Sequence, residues 1–176
     1  MSTNDVTVVL AHGAWADGSS WAKVIEGLKA QGIPSIAAAL PLTTRPDDLA
    51  AIDQAIERAS GDVVVVGHAY AGAVVGGASS DKVKGLVFIT ALAPDEGETV
   101  LDVFGRQPPH PKAPQLAPDS HGLFYLPDEA FPNAFAPNAT PAEQTCFARC
   151  NGRSTLPASL CRSNGRAGRI CRRGSW

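Results

Sequence analysis

The chain has no cysteine before position 146, and neither an acidic residue nor a lysine after position 145. All 17 acidic residues thus precede a segment, Cys146 to Trp176, that holds seven arginines and all four cysteines. A shift of this kind marks a boundary. The net charge of -2 argues against a nucleic-acid partner. The arginines lack the aromatic interleaving or helical stripe of a nucleic-acid surface, so a solvated tail is the simpler reading. Met1 to Asp5 contains no basic stretch leading into an apolar one, so no secretory leader is visible and a cytoplasmic location is expected. No apolar run approaches the roughly 20 residues that cross a bilayer. The longest weakly polar stretch, Val63 to Ala78, is interrupted by His68 and by glycines. No membrane partner is expected.

What remains is a chain of 176 residues, 44% hydrophobic, enough for one domain with a buried core. Val6 to Ala11 is an apolar run that suits a central parallel strand. Trp21, Val24, Ile25 and Leu28 recur at helical spacing, with Ser20 as the expected N-cap and Gly32 as the stop. Ile36 to Leu40 is a second strand, ended by Pro41. Pro46 opens a helix whose first turn carries Asp47 and Asp48, where the helix dipole favours anions. Leu49, Ile52, Ile56 and Ala59 form its buried stripe. Val63 to Val66 and Leu86 to Thr90 complete the strands. Strands alternating with helices at this spacing predict right-handed crossovers and a parallel sheet covered on both faces. The fold class is α/β, with a doubly wound sheet.

From Pro94 to Thr145 the rhythm breaks into proline-rich sequence with short apolar clusters, Leu123 to Leu126 and Phe131 to Phe135. This is too long for a plain loop and predicts a cap over a pocket. The domain reading is therefore a core over 1–145, with its cap at about 94–145, and an irregular Arg/Cys-rich tail over 146–176. The tail has too little apolar sequence to offset the roughly 1–2 kcal/mol of backbone entropy lost per ordered residue.

The chemistry concentrates at Val63-Val64-Val65-Val66-Gly67-His68-Ala69-Tyr70-Ala71-Gly72. β-branched residues make a strand, small residues permit a sharp turn, and Ala73 to Val75 begin a helix. This is the setting of a G-x-S-x-G nucleophile turn, yet its apex is Ala69 and its last glycine is Ala71. A methyl group cannot attack a carbonyl. The second loop of interest, His12-Gly13-Ala14-Trp15, follows the first strand. Both loops fall at carboxyl ends of neighbouring strands, where ligands bind in such sheets. The backbone N–H groups of Ala14 and Tyr70 would converge there as an oxyanion hole.

Together with Val8 to Trp21, Pro41-Leu42-Thr43 and Ala93 to Glu98, these segments resemble the small α/β-hydrolases of the esterase and hydroxynitrile-lyase-like branch, over about residues 5–145. The resemblance implies a Ser–His–acid triad, an ester-like small-molecule ligand, and neither metal nor cofactor. It places the nucleophile position at Ala69 and the oxyanion hole at Ala14 and Tyr70. It also implies two further strands, carrying the acid and the catalytic histidine, that this sequence replaces with the Arg/Cys segment. An incomplete sheet is therefore expected, ordered Ile36–Leu40, Val6–Ala11, Val63–Val66, Leu86–Thr90. The open last strand invites self-association.

No other residue replaces the triad convincingly. His68 is expected to point away from the pocket as a hydrogen-bonded structural residue, and His12 to brace its loop. His110 lies in a proline run and His121 in the cap. Asp95 reads as a turn residue between Pro94 and Gly97. Cys146 and Cys150 (C-x3-C), then Cys161 and Cys171, lack the spacing and folded frame of a zinc site, and disulfides are unsupported without a leader. The expected function is a carboxylic-ester hydrolase whose activity is impaired or lost. The alternatives are a non-catalytic module for a small apolar ligand, or a nonfunctional fragment whose tail is read out of frame.

Overall fold

The computed structural model describes residues 6–150. At its centre four parallel strands, β1 (Val6–Ala11), β2 (Ser35–Ala38), β3 (Asp62–His68) and β4 (Val83–Ile89), lie in the order β2-β1-β3-β4. This is the incomplete parallel sheet, in the strand order, that the family resemblance implies. Helix α1 (Ala22–Ala30) connects β1 to β2, α2 (Arg45–Arg58) connects β2 to β3, and the short α3 (Ala71–Val75) follows β3. Ala11 stands opposite Gly67 in the sheet register, so the loops after β1 and β3 leave the sheet at the same level.

Alternation along the strands divides the core in two. Val9, Ala11, Val63 and Val65 pack with Ile52, Ile56 and Val74 in the larger cluster. Leu10 and Val66 pack with Trp21 on the other face, beside Ile25 and Leu28. Burying each such aliphatic side chain is worth about 1.5–3 kcal/mol.

Ser20 is not the cap of α1. Asp17 caps a 3-10 turn at Gly18–Trp21 by accepting from the Ser19 N–H, and α1 follows without a side-chain cap. A turn of three residues shifts the phase of the stripe, so Trp21 is buried while Val24 faces solvent at 41% exposure. Thr44 caps α2, with Pro46 in its first turn.

After β4 come α4 (Val100–Gly105), one wide π-helical turn at Phe131–Phe135, and α5 (Pro141–Arg149). Thr99 with Asp102, and Thr140 with Glu143, form reciprocal capping boxes at α4 and α5. Helix α5 carries order through Cys146 to Arg149, where the sequence pattern predicts an irregular segment. Its capping box and the packing of Phe147 and Ala148 against Leu126, Ala130 and Phe131 outweigh the change in composition. The rest of the expected tail, from 151, lies outside the described residues. Two contacts fasten the cap to the core: Trp15 Nε1 donates to the Phe124 carbonyl over 2.9 Å, and Lys23 pairs with Glu143 at 2.8 Å.

Candidate functional site

The turn after β3 is a sharp strand–turn–helix. Ala69 sits at φ +50, a left-handed conformation that a residue with a Cβ adopts only under constraint. The constraint is visible. The Ala69 carbonyl accepts from Gly72 N–H at 3.1 Å and from Leu92 N–H at 2.9 Å. Gly72 is needed for this approach, because a Cβ there would stand 2.5 Å from the Leu92 carbonyl oxygen and 2.6 Å from Ala91 Cβ. Gly67 plays the same part on the strand side, where a Cβ would meet Val75 and the Ala71 backbone at 2.9 and 3.1 Å.

The loop after β1 closes on this turn. A Cβ on Gly13 would lie 3.0 Å from Ala69 Cβ and 3.4 Å from His68 Nδ1, so glycine allows the contact. His12 braces the loop from beneath, as its sequence position suggests. Its Nε2 accepts from Leu40 N–H at 3.2 Å, which leaves Nδ1 as the protonated nitrogen facing the Gly13 carbonyl at 3.0 Å. Burial holds this imidazole below its ordinary pKa, consistent with a neutral ring.

Ala14, Ala69 and Tyr70 all line one cavity of about 500 Å³. Its remaining wall is mostly hydrocarbon. Trp15 and Leu92 come from the core, and Phe104, Leu116, Leu126 and Phe135 from the cap segment. Among the described residues no Lys, Arg, Asp or Glu belongs to this wall. His68 does belong to it, contrary to the expectation that it points away. Strand β3 extends through His68, whose side chain follows Val66 onto the Trp21 face of the sheet. There its ring meets Trp21 edge-on, with centroids 6.2 Å apart. It makes no hydrogen bond among the described residues, and burial lowers its pKa. Asp95 lies in an exposed turn, with Arg106 3.7 Å away. His110 and His121 are exposed and stand outside the cavity wall.

One functional group escapes sequence reasoning. Asp48 is 0% exposed, its Oδ1 accepting from Leu42 N–H and its Oδ2 from the Tyr70 hydroxyl, both at 2.7 Å. Burial pushes its carboxyl above the ordinary range, and the Tyr70 and Leu42 donors pull it back. Leu42, at φ +54, is held in its own strained conformation by the same carboxylate. The sequence pattern places Asp47 and Asp48 together in a first turn, but the i, i+4, i+8 spacing of Asp48 with Ile52 and Ile56 puts Asp48 alone on the buried face of α2, a signal that could have found it. Among the described residues no group of three or more His, Cys, Asp or Glu side chains could hold a metal ion. No described helix is long and apolar enough to cross a membrane.

The sequence profile described as "Alpha/beta hydrolase family" matches residues 8–169. No curated protein matches the chain significantly. Among solved structures, the chain is similar to a pyrethroid hydrolase from Sphingobium faniae, at 22% identity and a TM-score of 0.68, covering 94% of this chain and 75% of that one. It is similar to a mutant polyneuridine aldehyde esterase at 17% identity and a TM-score of 0.75, covering 93% and 76%. A third similar structure is tomato methylketone synthase I in complex with 2-tridecanone, at 16% identity and a TM-score of 0.69, covering 94% and 76%. At such identities the likeness is one of fold, and the family rests on the profile. With a match over most of its length, a parallel sheet of the expected order and a strained strand–turn–helix at Ala69, this chain belongs to the alpha/beta hydrolase family.

Proposed function

We propose that this chain carries the pocket of a carboxylic-ester hydrolase, is impaired or inactive as a catalyst, and holds a small, apolar, ester-like ligand. The observation that carries this reading is the methyl group of Ala69 at the strained apex, on the cavity wall. Ester hydrolysis on this frame needs a hydroxyl at that tip, a base to take its proton, and donors for the developing oxyanion. The donors survive substitution because they are backbone groups. The Ala14 N–H makes no hydrogen bond among the described residues, and the Tyr70 N–H opens α3; these form the proposed oxyanion hole. The nucleophile does not survive. His68, the one imidazole on the wall, has no carboxylate to orient it among the described residues.

A wall that is apolar and bears no fixed charge among the described residues favours a neutral ligand, because an ion would lose its hydration there without a partner. Two backbone donors at one end suit a carbonyl oxygen. The related fold of methylketone synthase I holds 2-tridecanone, which makes that ketone a reasonable probe. The test combines binding and turnover. 2-Tridecanone should raise the melting temperature, with a ligand at 100 times its Kd adding about 2.7 kcal/mol. p-Nitrophenyl acetate should show no multiple turnover with the chain or with Ala69→Ser, since the new hydroxyl would lack an oriented base. Robust turnover by either protein overturns the impairment. No thermal shift, either with the ketone or with an ester of similar length, overturns the binding reading.

A further inference from the structure

In an irregular segment a C-x3-C spacing has no frame, but α5 supplies one. Residues four apart share a helix face, and the Sγ atoms of Cys146 and Cys150 stand 3.9 Å apart. Both side chains are exposed. The residues between them anchor the helix, since Phe147 and Ala148 pack into the cap cluster around Leu126 and Phe131. Ion pairs from Glu143 to Lys23 and from Arg149 to Asp128 hold the two ends of the same helix.

We propose that Cys146 and Cys150 form a two-thiol chelating site for thiophilic trivalent arsenicals, independent of the cavity and of its proposed function. Three considerations select this ligand class. A direct disulfide has an S–S length of about 2.05 Å, so the sulfurs would have to close by nearly half their separation across a hydrogen-bonded helical turn. A single atom bonded to both sulfurs needs only small side-chain rotations. Zinc requires four ligands, and no cluster of three or more His, Cys, Asp or Glu groups exists among the described residues. An arsenic(III) centre bearing one organic group needs only two thiolates.

The protonation state fits the condensation. The hydrogen bond with Cys146 raises the pKa of the Cys150 thiol, and Asp17 acts in the same direction. Cys150 is therefore presented as a neutral thiol at neutral pH. The reaction with hydrated phenylarsine oxide is PhAs(OH)2 + 2 RSH → PhAs(SR)2 + 2 H2O. Two As–S bonds form, two As–O bonds break, and each thiol proton leaves with a hydroxide as water. Arsenic remains trivalent, so no oxidant or reductant is consumed.

The test uses the full chain with Cys161→Ser and Cys171→Ser, so that only the helical pair remains. Intact mass should show one phenylarsenic group per chain after treatment with phenylarsine oxide. The adduct should resist excess 2-mercaptoethanol and be released by 2,3-dimercaptopropanol. Adding Cys146→Ser or Cys150→Ser should weaken binding by about 10²–10⁴-fold, the advantage of a second, intramolecular contact. Both positions are exposed, and an unchanged melting temperature in the serine variants verifies their folding. The far-ultraviolet helical signal should persist in the adduct. Equal affinity in a single-serine variant, stripping by the monothiol, or loss of helical signal on binding would each overturn the proposal.

Discussion

The phenolic oxygen of Tyr70 donates a 2.7 Å hydrogen bond to Oδ2 of Asp48, joining the turn at Ala69 to the first turn of α2. Because Oδ1 of the same carboxylate accepts from Leu42 N–H, one buried side chain fixes three segments around the cavity. Tyr70 carries both a proposed oxyanion donor, in its backbone, and this anchor, in its side chain. Position and support are thus coupled through a single residue.

Tyr70→Phe should destabilise the fold by about 1–3 kcal/mol near neutral pH, the usual cost of depriving a buried polar group of its partner. The sign of its pH dependence follows from Asp48. Burial raises this carboxyl above the usual 3.8, so its contribution to stability is fully present below that value and is lost as pH rises through the folded pKa. The Tyr70 hydroxyl lowers the folded pKa, and its removal enlarges the loss. Urea midpoints at about pH 4 and about pH 7.5 should show the larger deficit at the higher pH. An equal deficit at both would place the effect elsewhere.

His12 works in the opposite direction. Its pKa is held below 6.5 by burial, so its contribution to stability is present above 6.5 and is lost as pH falls from there through the lowered folded value. His12→Gln retains an acceptor for Leu40 N–H but does not titrate. It should cost about 1 kcal/mol at neutral pH and flatten the acid limb of the stability curve. His68, also lowered by burial, should preserve part of that limb. Denaturant titrations across pH 5–8 (roughly the window in which histidine changes charge) measure both effects, and an undiminished slope in His12→Gln would contradict this assignment.

The glycines offer a paired comparison. Gly72→Ala would force a Cβ against the Leu92 carbonyl and Ala91, so a loss of about 1–3 kcal/mol is expected. Gly27→Ala lies in α1 with nothing within 4 Å of the added carbon, and a gain of about 0.5–1 kcal/mol is expected from the better helix former. Thermal melts of the two variants should move in opposite directions.

Strand β4 has no partner on its outer side among the described residues, and Val87 and Ile89 are 41% and 43% exposed on it. An apolar open edge of this kind templates pairing with another chain. Sedimentation velocity should show association that grows with concentration and weakens in Val87→Lys. A single monomeric species throughout would exclude this expectation.

Much of the frame is legible from local pattern. The four strands and the positions of both site loops follow from apolar runs and turn residues, and the strand order from the family resemblance. The misreadings have different causes. Ser20 is the nearer N-cap by type, but a 3-10 turn capped by Asp17 intervenes and α1 itself has no side-chain cap. Cys146 appeared to begin an irregular stretch on composition, whereas a capping box at Thr140 and the packing of Phe147 extend the helix through it. The first outcome is local to Asp17 and Ser19, whereas the second also draws on the packing of Phe147 against Leu126 and Phe131.

The sequence by itself determined that this chain is an α/β protein with a sharp strand–turn–helix at Ala69, because strand, turn and helix preferences act over a few neighbouring residues. Tertiary structure alone decided that Asp48 grips Tyr70 across 22 positions, that His68 borders the cavity, and that the cap contributes Leu126 and Phe135 to its wall. The reason is physical: burial and hydrogen-bond satisfaction are properties of distant segments brought together, and no local sequence pattern encodes which segments will meet.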